Sequence, residues 1–256
     1  MNNNLFYNMI PNNLICIDIE TIPNKEHIEN SVCKILGFSY DEYIAYENKF
    51  VKEGKTWFPK PCFHKIVNIG LLFISKHLAF KYIDFYGEDE AQILNDFWGI
   101  FNKCNYPTIV SYNGKYFDMP VIVNNSIRYI ESFSKDALTG IQIYSDTSDT
   151  WEKNNPNYKH AYTKYHIDVM DNFNKPKPSL IEACAKYDIP VKTSGHGSHI
   201  SDMSEDEIRL YCREDIFATI ELFGKFSLLN YFSLDEYQTF KEKFIDYKNS
   251  LLENKQ

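Results

Sequence analysis

Three stretches of this chain place acids where metal-assisted chemistry could use them. In Ile15-Cys16-Ile17-Asp18-Ile19-Glu20-Thr21, a run apolar at almost every position ends in two carboxylates one residue apart. On a strand, positions i and i+2 point to the same side, so Asp18 and Glu20 would project together from the edge of a core. Two such charges repel unless a cation lies between them; the alternative is a strand whose polar face happens to hold acids. In Asn113-Gly114-Lys115-Tyr116-Phe117-Asp118, an acid falls at a strand-to-helix turn just beyond a short apolar run. Sites form at such turns in α/β sheets, although Asp118 would equally serve as a helix N-cap. In Tyr211-Cys212-Arg213-Glu214-Asp215, the tyrosine and the last acid are i and i+4 on one helical face. An Asp near the buried side of a helix is costly unless a neighbouring Lys or Arg, or a metal, meets it.

The intervening sequence supplies the elements that would hold these groups. Residues 64–75 alternate and then run apolar, and residues 78–86 follow closely with Phe80, Tyr82, Ile83 and Phe85. With the opening run, these predict an antiparallel meander at the start of a mixed sheet. Residues 88–104 open on three acids and then repeat Ile93, Leu94, Phe97, Trp98 and Phe101 at helical spacing. Residues 107–112 predict a buried strand and 117–129 a helix. Residues 132–163 are polar and read as a long loop or arm, and residues 166–171 as a last short strand. Helices are expected from Ser179 through Tyr187, from the Ser204/Glu207 capping box to about residue 230, and over 233–252. Residues 24–61 are charged, aromatic and irregular, with some helical pattern, and read as an insertion over one edge of the fold. The expectation is one α/β domain over 1–256, its mixed sheet flanked by helices and extended by the insertion and the C-terminal helix.

Composition narrows the class. The chain has 256 residues, 44% hydrophobic and 16% aromatic, and a net charge of −8. That acidity argues against tight, non-specific duplex binding, though not against a phosphate captured through metal ions. Six scattered cysteines without a C-x-x-C pair argue against a zinc ribbon or a disulfide framework. No apolar run is long enough to span a bilayer, and residues 1–13 lack a signal-peptide pattern, so no membrane and a cytoplasmic setting are expected. His196 and His199 flank Gly197 in a glycine-containing loop, where a loop role is favoured over zinc, and Lys192 is undecided.

The three acidic stretches, in this order, resemble the motifs of the 3′–5′ exonuclease superfamily with four acidic metal ligands and a tyrosine (DEDDy). Asp18-Ile19-Glu20-Thr21 is similar to the family's D-I-E-T. Asn113, Gly114, Phe117 and Asp118 are similar to its N-G and F-D loop, and Tyr211, Cys212 and Asp215 to its Y-C-x-x-D. The chain resembles the exonuclease domain of family B DNA polymerases, and most of all the stand-alone predicted exonucleases related to it, over about residues 14–223. The sister subtype would place a His one position before Tyr211, where this chain has Leu210.

The resemblance implies a ribonuclease H-like fold and phosphodiester hydrolysis with two divalent ions, Mg²⁺ or Mn²⁺, for which oxygen ligands are suited. Asp18, Glu20 and Asp215 would hold one ion and Asp18 with Asp118 the second, while Tyr211 would orient the attacking water. Thr21 and Ile22 would line the 3′-terminal nucleotide, and Asn113 and Phe117 the next one. Asp168 lies outside the four-acid scheme and reads as structural. The implied partner is the 3′ end of a single-stranded nucleic acid, DNA before RNA, with a replication or repair protein in trans. Two other readings stay open: a phosphodiesterase for short oligonucleotides, and a silent module that binds nucleic-acid ends or a polymerase. Four retained, mutually repelling acids argue against the last.

Overall fold

The first strand, β1 (Leu14–Pro23), lies in the middle of a five-stranded sheet of order β3-β2-β1-β4-β5. A computed structural model of the chain describes residues 14–51, 59–147, 157–160, 163–191 and 197–253, with backbone alone for 197–199 and 252. β2 (His64–Ile74) and β3 (Phe80–Tyr86) complete an antiparallel meander with β1, and β4 (Thr108–Ser111) and β5 (His166–Asp168) continue in parallel. This is the mixed sheet, an antiparallel meander followed by parallel strands, that the sequence predicts.

Alternation along β1 sorts its side chains into two cores. Ile15, Ile17 and Ile19 pack on one face with α2 (Glu90–Lys103), α3 (Asp118–Tyr129) and α4 (Lys135–Ser145). Leu14 and Cys16 pack on the other with α5 (Leu180–Lys186), α6 (Glu205–Ser227) and α7 (Leu234–Glu253). Asp18 and Glu20 continue the second series, so strand periodicity alone turns them toward α6. Opposite Asp18 in the register stands Gly70. A Cβ there would lie 2.6 Å from Cys212 Sγ and 2.8 Å from Ile216 Cδ1, so the missing side chain lets α6 settle against this end of β1. Between Glu20 and Thr21 the register shifts, passing over Val67 of β2.

The described residues at 24–51 form short helical pieces, including α1 (Tyr40–Asn48), which starts at a Ser39/Glu42 capping box. Ile28, Cys33 and Tyr43 bury one another there as a small separate cluster, and Asn24 N donates to Phe63 O at 2.8 Å, which ties the two ends together. Among the described residues, no helix is long and apolar enough to cross a membrane.

Two sequence expectations need correction. The stretch expected to be irregular from 132 contains α4, because Ser134 caps it and Ala137, Gly140, Ile141 and Tyr144 form a buried stripe at helical spacing. The expected strand over 166–171 stops at Asp168, whose carboxylate accepts from Met170 N at 3.1 Å and turns the chain into a 3₁₀ helix at Val169–Asn172. The α2–α4 contact is tight enough to test. A Cβ on Gly140 would lie 2.2 Å from the Trp98 carbonyl oxygen, a backbone atom that cannot swing aside. Gly140→Ala is therefore expected to destabilise the fold by about 1–3 kcal/mol despite its better helix propensity. Urea unfolding reads this as a lower midpoint with an unchanged slope.

Candidate active site

β1, α3 and α6 bring the three acidic stretches to one place. Ligand atoms of Asp18, Glu20 and Cys212 lie within 4.8 Å of one another. The Cys212 thiol donates to the Asp18 carbonyl at 3.6 Å, which fixes α6 against the strand. Asp118 arrives from the start of α3. β4 pairs with β1 only as far as Cys16, and Asp118 Oδ1 accepts the Ile19 N–H beyond that point at 3.2 Å. Asp215 and Tyr211 share the α6 face that looks onto the strand, and the Tyr211 hydroxyl donates to the Asp215 carboxylate. These contacts bear on the bonding that the sequence left open for two of the acids. The N-cap position of α3 is Phe117, so Asp118 serves β1 rather than simply capping its helix. Asp215 is met by a tyrosine rather than by a Lys or Arg.

The electrostatics follow from this crowding. Burial raises the Asp18 carboxyl well above the usual carboxylate range, and the charges of Glu20, Asp118 and Asp215 raise it further. Burial and the charges of Asp215 and Asp118 do the same to Glu20. Asp118 is pushed up to about 7 by burial, against the lowering effect of backbone N–H donors. Asp215 is pushed up to about 6 by burial, with Tyr211 pulling the other way. Asp18 Oδ2 is buried and has no hydrogen-bond partner among the described residues. Four carboxylates from three elements, raised first by burial and, in Asp18, Glu20 and Asp118, by neighbouring acids as well, and holding an orphaned oxygen, form a donor set that fits hard divalent cations.

A loop next to the acids is held by Asp168. Its carboxylate accepts from Asn113 N at 2.8 Å and Lys115 N at 2.9 Å as well as from Met170 N. With both oxygens engaged this way, Asp168 anchors the loop, as its structural reading required. Asn113 sits in the left-handed region at φ 66°. A Cβ on Gly114 would be 2.5 Å from Ser111 Oγ, so the turn closes onto the end of β4 only because that residue is glycine.

Thr21 and Phe117, from distant segments, meet through His64. The Phe117 ring stands edge-on to the imidazole, with centroids 5.3 Å apart, and Thr21 Oγ1 lies 2.7 Å from Nδ1. Nε2 is 3.0 Å from the Pro59 carbonyl oxygen, which can only accept, so Nε2 carries the proton. Burial lowers the pKa of this histidine, which keeps it neutral. Nδ1 must then accept from the Thr21 hydroxyl, whose oxygen is left to accept from another donor. Sequence reasoning missed His64: it opens an ordinary strand, and its contacts are made with residues far along the chain. Ile22 is half-buried and belongs to neither large core. Lys192 and His196 lie outside the described residues, as does the side chain of His199.

The raised carboxyls set a pH dependence. The folded, metal-free chain holds protons that the unfolded chain releases near pH 4, so its stability is full below that pH and falls as pH rises toward 7. Asp118→Asn keeps the acceptor for Ile19 N and removes the charge. Without metal, the variant should match the parent near pH 4 and exceed it near pH 8 by at least about 1 kcal/mol. Adding Mg²⁺ or Mn²⁺ at pH 8 should raise the melting temperature of the parent more than that of the variant.

Comparison with known proteins places this arrangement. No curated protein sequence matches the chain. Among solved structures, it is similar to the family B DNA polymerase from the hyperthermophilic archaeon Pyrobaculum calidifontis, with 12% identity over 85% of this chain and 25% of that one, at a TM-score of 0.47. It is also similar to a product-bound exonuclease I, with 13% identity over 92% of this chain and 45% of that one, at a TM-score of 0.45. The chain thus spans less than half the length of either. A family of predicted 3′–5′ exonucleases related to the exonuclease domain of PolB matches residues 56–256. The match includes Asp118, Tyr211 and Asp215 and begins after Asp18 and Glu20, which the sheet itself brings to them. Since it takes in most of the chain, the protein belongs to this family of predicted 3′–5′ exonucleases related to the PolB exonuclease domain.

Proposed function

We propose that the chain removes nucleotides from the 3′ end of single-stranded nucleic acid, with DNA preferred over RNA, using two divalent ions, Mg²⁺ or Mn²⁺. The observation that carries this reading is the cluster of Asp18, Glu20, Asp118 and Asp215 with the unpartnered Asp18 Oδ2 at its centre. Asp18, Glu20 and Asp215 would hold one ion, and Asp18 with Asp118 the other. Bound ions supply the positive charge that activates a water and offsets charge on the phosphoryl and leaving oxygens.

Tyr211 is too weak an acid to act as a base, because burial and the charges of Asp215, Glu20 and Asp18 raise its pKa further. Its O–H is committed to Asp215, so its oxygen can accept from the attacking water and orient it. Thr21, whose own proton goes to His64, would accept from a hydroxyl of the terminal nucleotide, with Ile22 wedged against a base. Asn113 and Phe117 would contact the next nucleotide. The family's relation to PolB favours DNA and a replication or repair protein acting in trans. Six free cysteines suit a reducing, cytoplasmic setting.

Incubation with 5′-labelled single-stranded DNA and RNA tests the reading. Stepwise shortening should require Mg²⁺ or Mn²⁺ and stop in EDTA. Asp18→Ala should lower the rate by about a thousandfold and Tyr211→Phe by about a hundredfold. Shortening confined to di- and trinucleotides would make the protein an oligonucleotide phosphodiesterase. A folded protein that shortens no strand, long or short, with either ion would refute the proposal.

A further inference from the structure

Beside the Asp118 loop, on the side of β5, opens a pocket of about 430 Å³. This is the size of a small-molecule site and far larger than a packing defect. Its makeup runs against the composition of the chain. Lys115, Lys159 and His160 line it, and none of its described lining residues is an Asp or Glu, although the chain as a whole carries −8. Of the two acids in the loop network, Asp168 is held by three backbone N–H donors and Asp171 is engaged by Lys115 at 3.3 Å and Lys177 at 2.6 Å. An anion entering here meets Lys159 and the Asp171-paired Lys115 rather than a described carboxylate.

The other walls are aromatic. Tyr144 and Tyr158 stack on each other inside, and the Tyr116 ring, 60% exposed, stands at the rim. His166 also lines the pocket. Its Nε2 lies 2.9 Å from Ser111 Oγ, while its Nδ1 is buried without a partner among the described residues. Burial pushes the pKa of this ring down to about 3, so it stays neutral and offers a base one polar atom rather than a charge. Cations, flat apolar walls and one buried polar nitrogen together match a base and its phosphate.

We propose that this pocket takes one unpaired nucleotide unit, a base with its 5′-phosphate, from the strand upstream of the nucleotides at the carboxylates. The assignment to a strand rests on the exonuclease reading. Lys115 and Tyr116 belong to the same loop as Asn113 and Phe117, so a strand leaving those two passes the rim of the pocket. A free nucleoside 5′-monophosphate carries the same chemistry, and the test separates the two sources.

Fluorescence anisotropy of labelled dinucleotides and progressively longer oligodeoxynucleotides, in the Asp18→Asn protein with EDTA and with Mg²⁺, measures binding without requiring cleavage. Titration of a deoxynucleoside 5′-monophosphate supplies the second arm. Affinity should rise once the strand extends past the loop. Val123→Phe, which fills the pocket, should remove about tenfold of that gain. Asn124→Trp, at an exposed helical position on the same wall, repeats the test if the first variant fails to fold. Monophosphate binding that Val123→Phe abolishes, with no dependence on strand length, would keep the site but assign it to the free nucleotide. Unchanged affinity of every ligand in both folded variants would overturn the proposal. Binding that responds to the variants in a protein that shortens no strand would leave the pocket standing and remove the exonuclease reading.

Discussion

Holding Asp18, Glu20, Asp118 and Asp215 near one another and away from bulk water costs free energy, and the rest of the structure is arranged to withstand it. In the metal-free chain, the cost shows as carboxyls that keep their protons toward neutral pH. A strand at a sheet edge would relieve such strain by bending outward. β1 cannot, because it is paired on both sides and has a core packed on each face. Gly70 and Cys212 then bring α6 to the strand at the level of Asp18. The repulsion is contained by backbone pairing and apolar packing, and a divalent cation can convert it into binding energy.

Hydrogen-bond direction gives the surrounding groups their roles. The Pro59 carbonyl fixes the tautomer of His64, His64 fixes the Thr21 proton, and Thr21 is left as an acceptor. In the same way, Asp215 accepts the hydrogen bond of the Tyr211 hydroxyl and leaves the phenol oxygen to accept. Asp168 works in the opposite sense. Three backbone N–H donors use up its oxygens, which makes it a poor ligand and a good anchor for the loop that carries Asn113 and Phe117.

The parts legible in the sequence were those with a short period or a fixed motif order. The alternation of Ile15, Ile17 and Ile19 against Cys16, Asp18 and Glu20 announced both the strand and the shared face of its acids. Ser204 and Glu207 marked the start of the helix that carries Tyr211 and Asp215. α4 was hidden because its exposed Ser, Thr, Asp and Gln positions outweigh, in composition, the stripe of Ala137, Gly140, Ile141 and Tyr144. β5 was overestimated because nothing local shows that Asp168 would spend its side chain on the following turn. His64 was invisible for a different reason: its partners Thr21 and Phe117 lie 43 and 53 positions away, and only the sheet makes them neighbours.

An acidic chain that handles nucleic acid looks contradictory only when charge is averaged over the molecule. At the carboxylates, the negative charge would retain divalent cations, and the retained cations would present a positive surface to a phosphate. Beside them, Asp171 is neutralised by Lys115 and Lys177, and the wall of the neighbouring pocket carries one further lysine, Lys159, without acids among its described residues. Away from these two places, the surplus of acids repels the backbone of any strand that is not seated. A net charge of −8 therefore works against indiscriminate coating of long polymers while leaving the path to the site open. On the proposed reading, affinity would be concentrated where the chemistry is, which suits an enzyme that must release the strand it has just shortened.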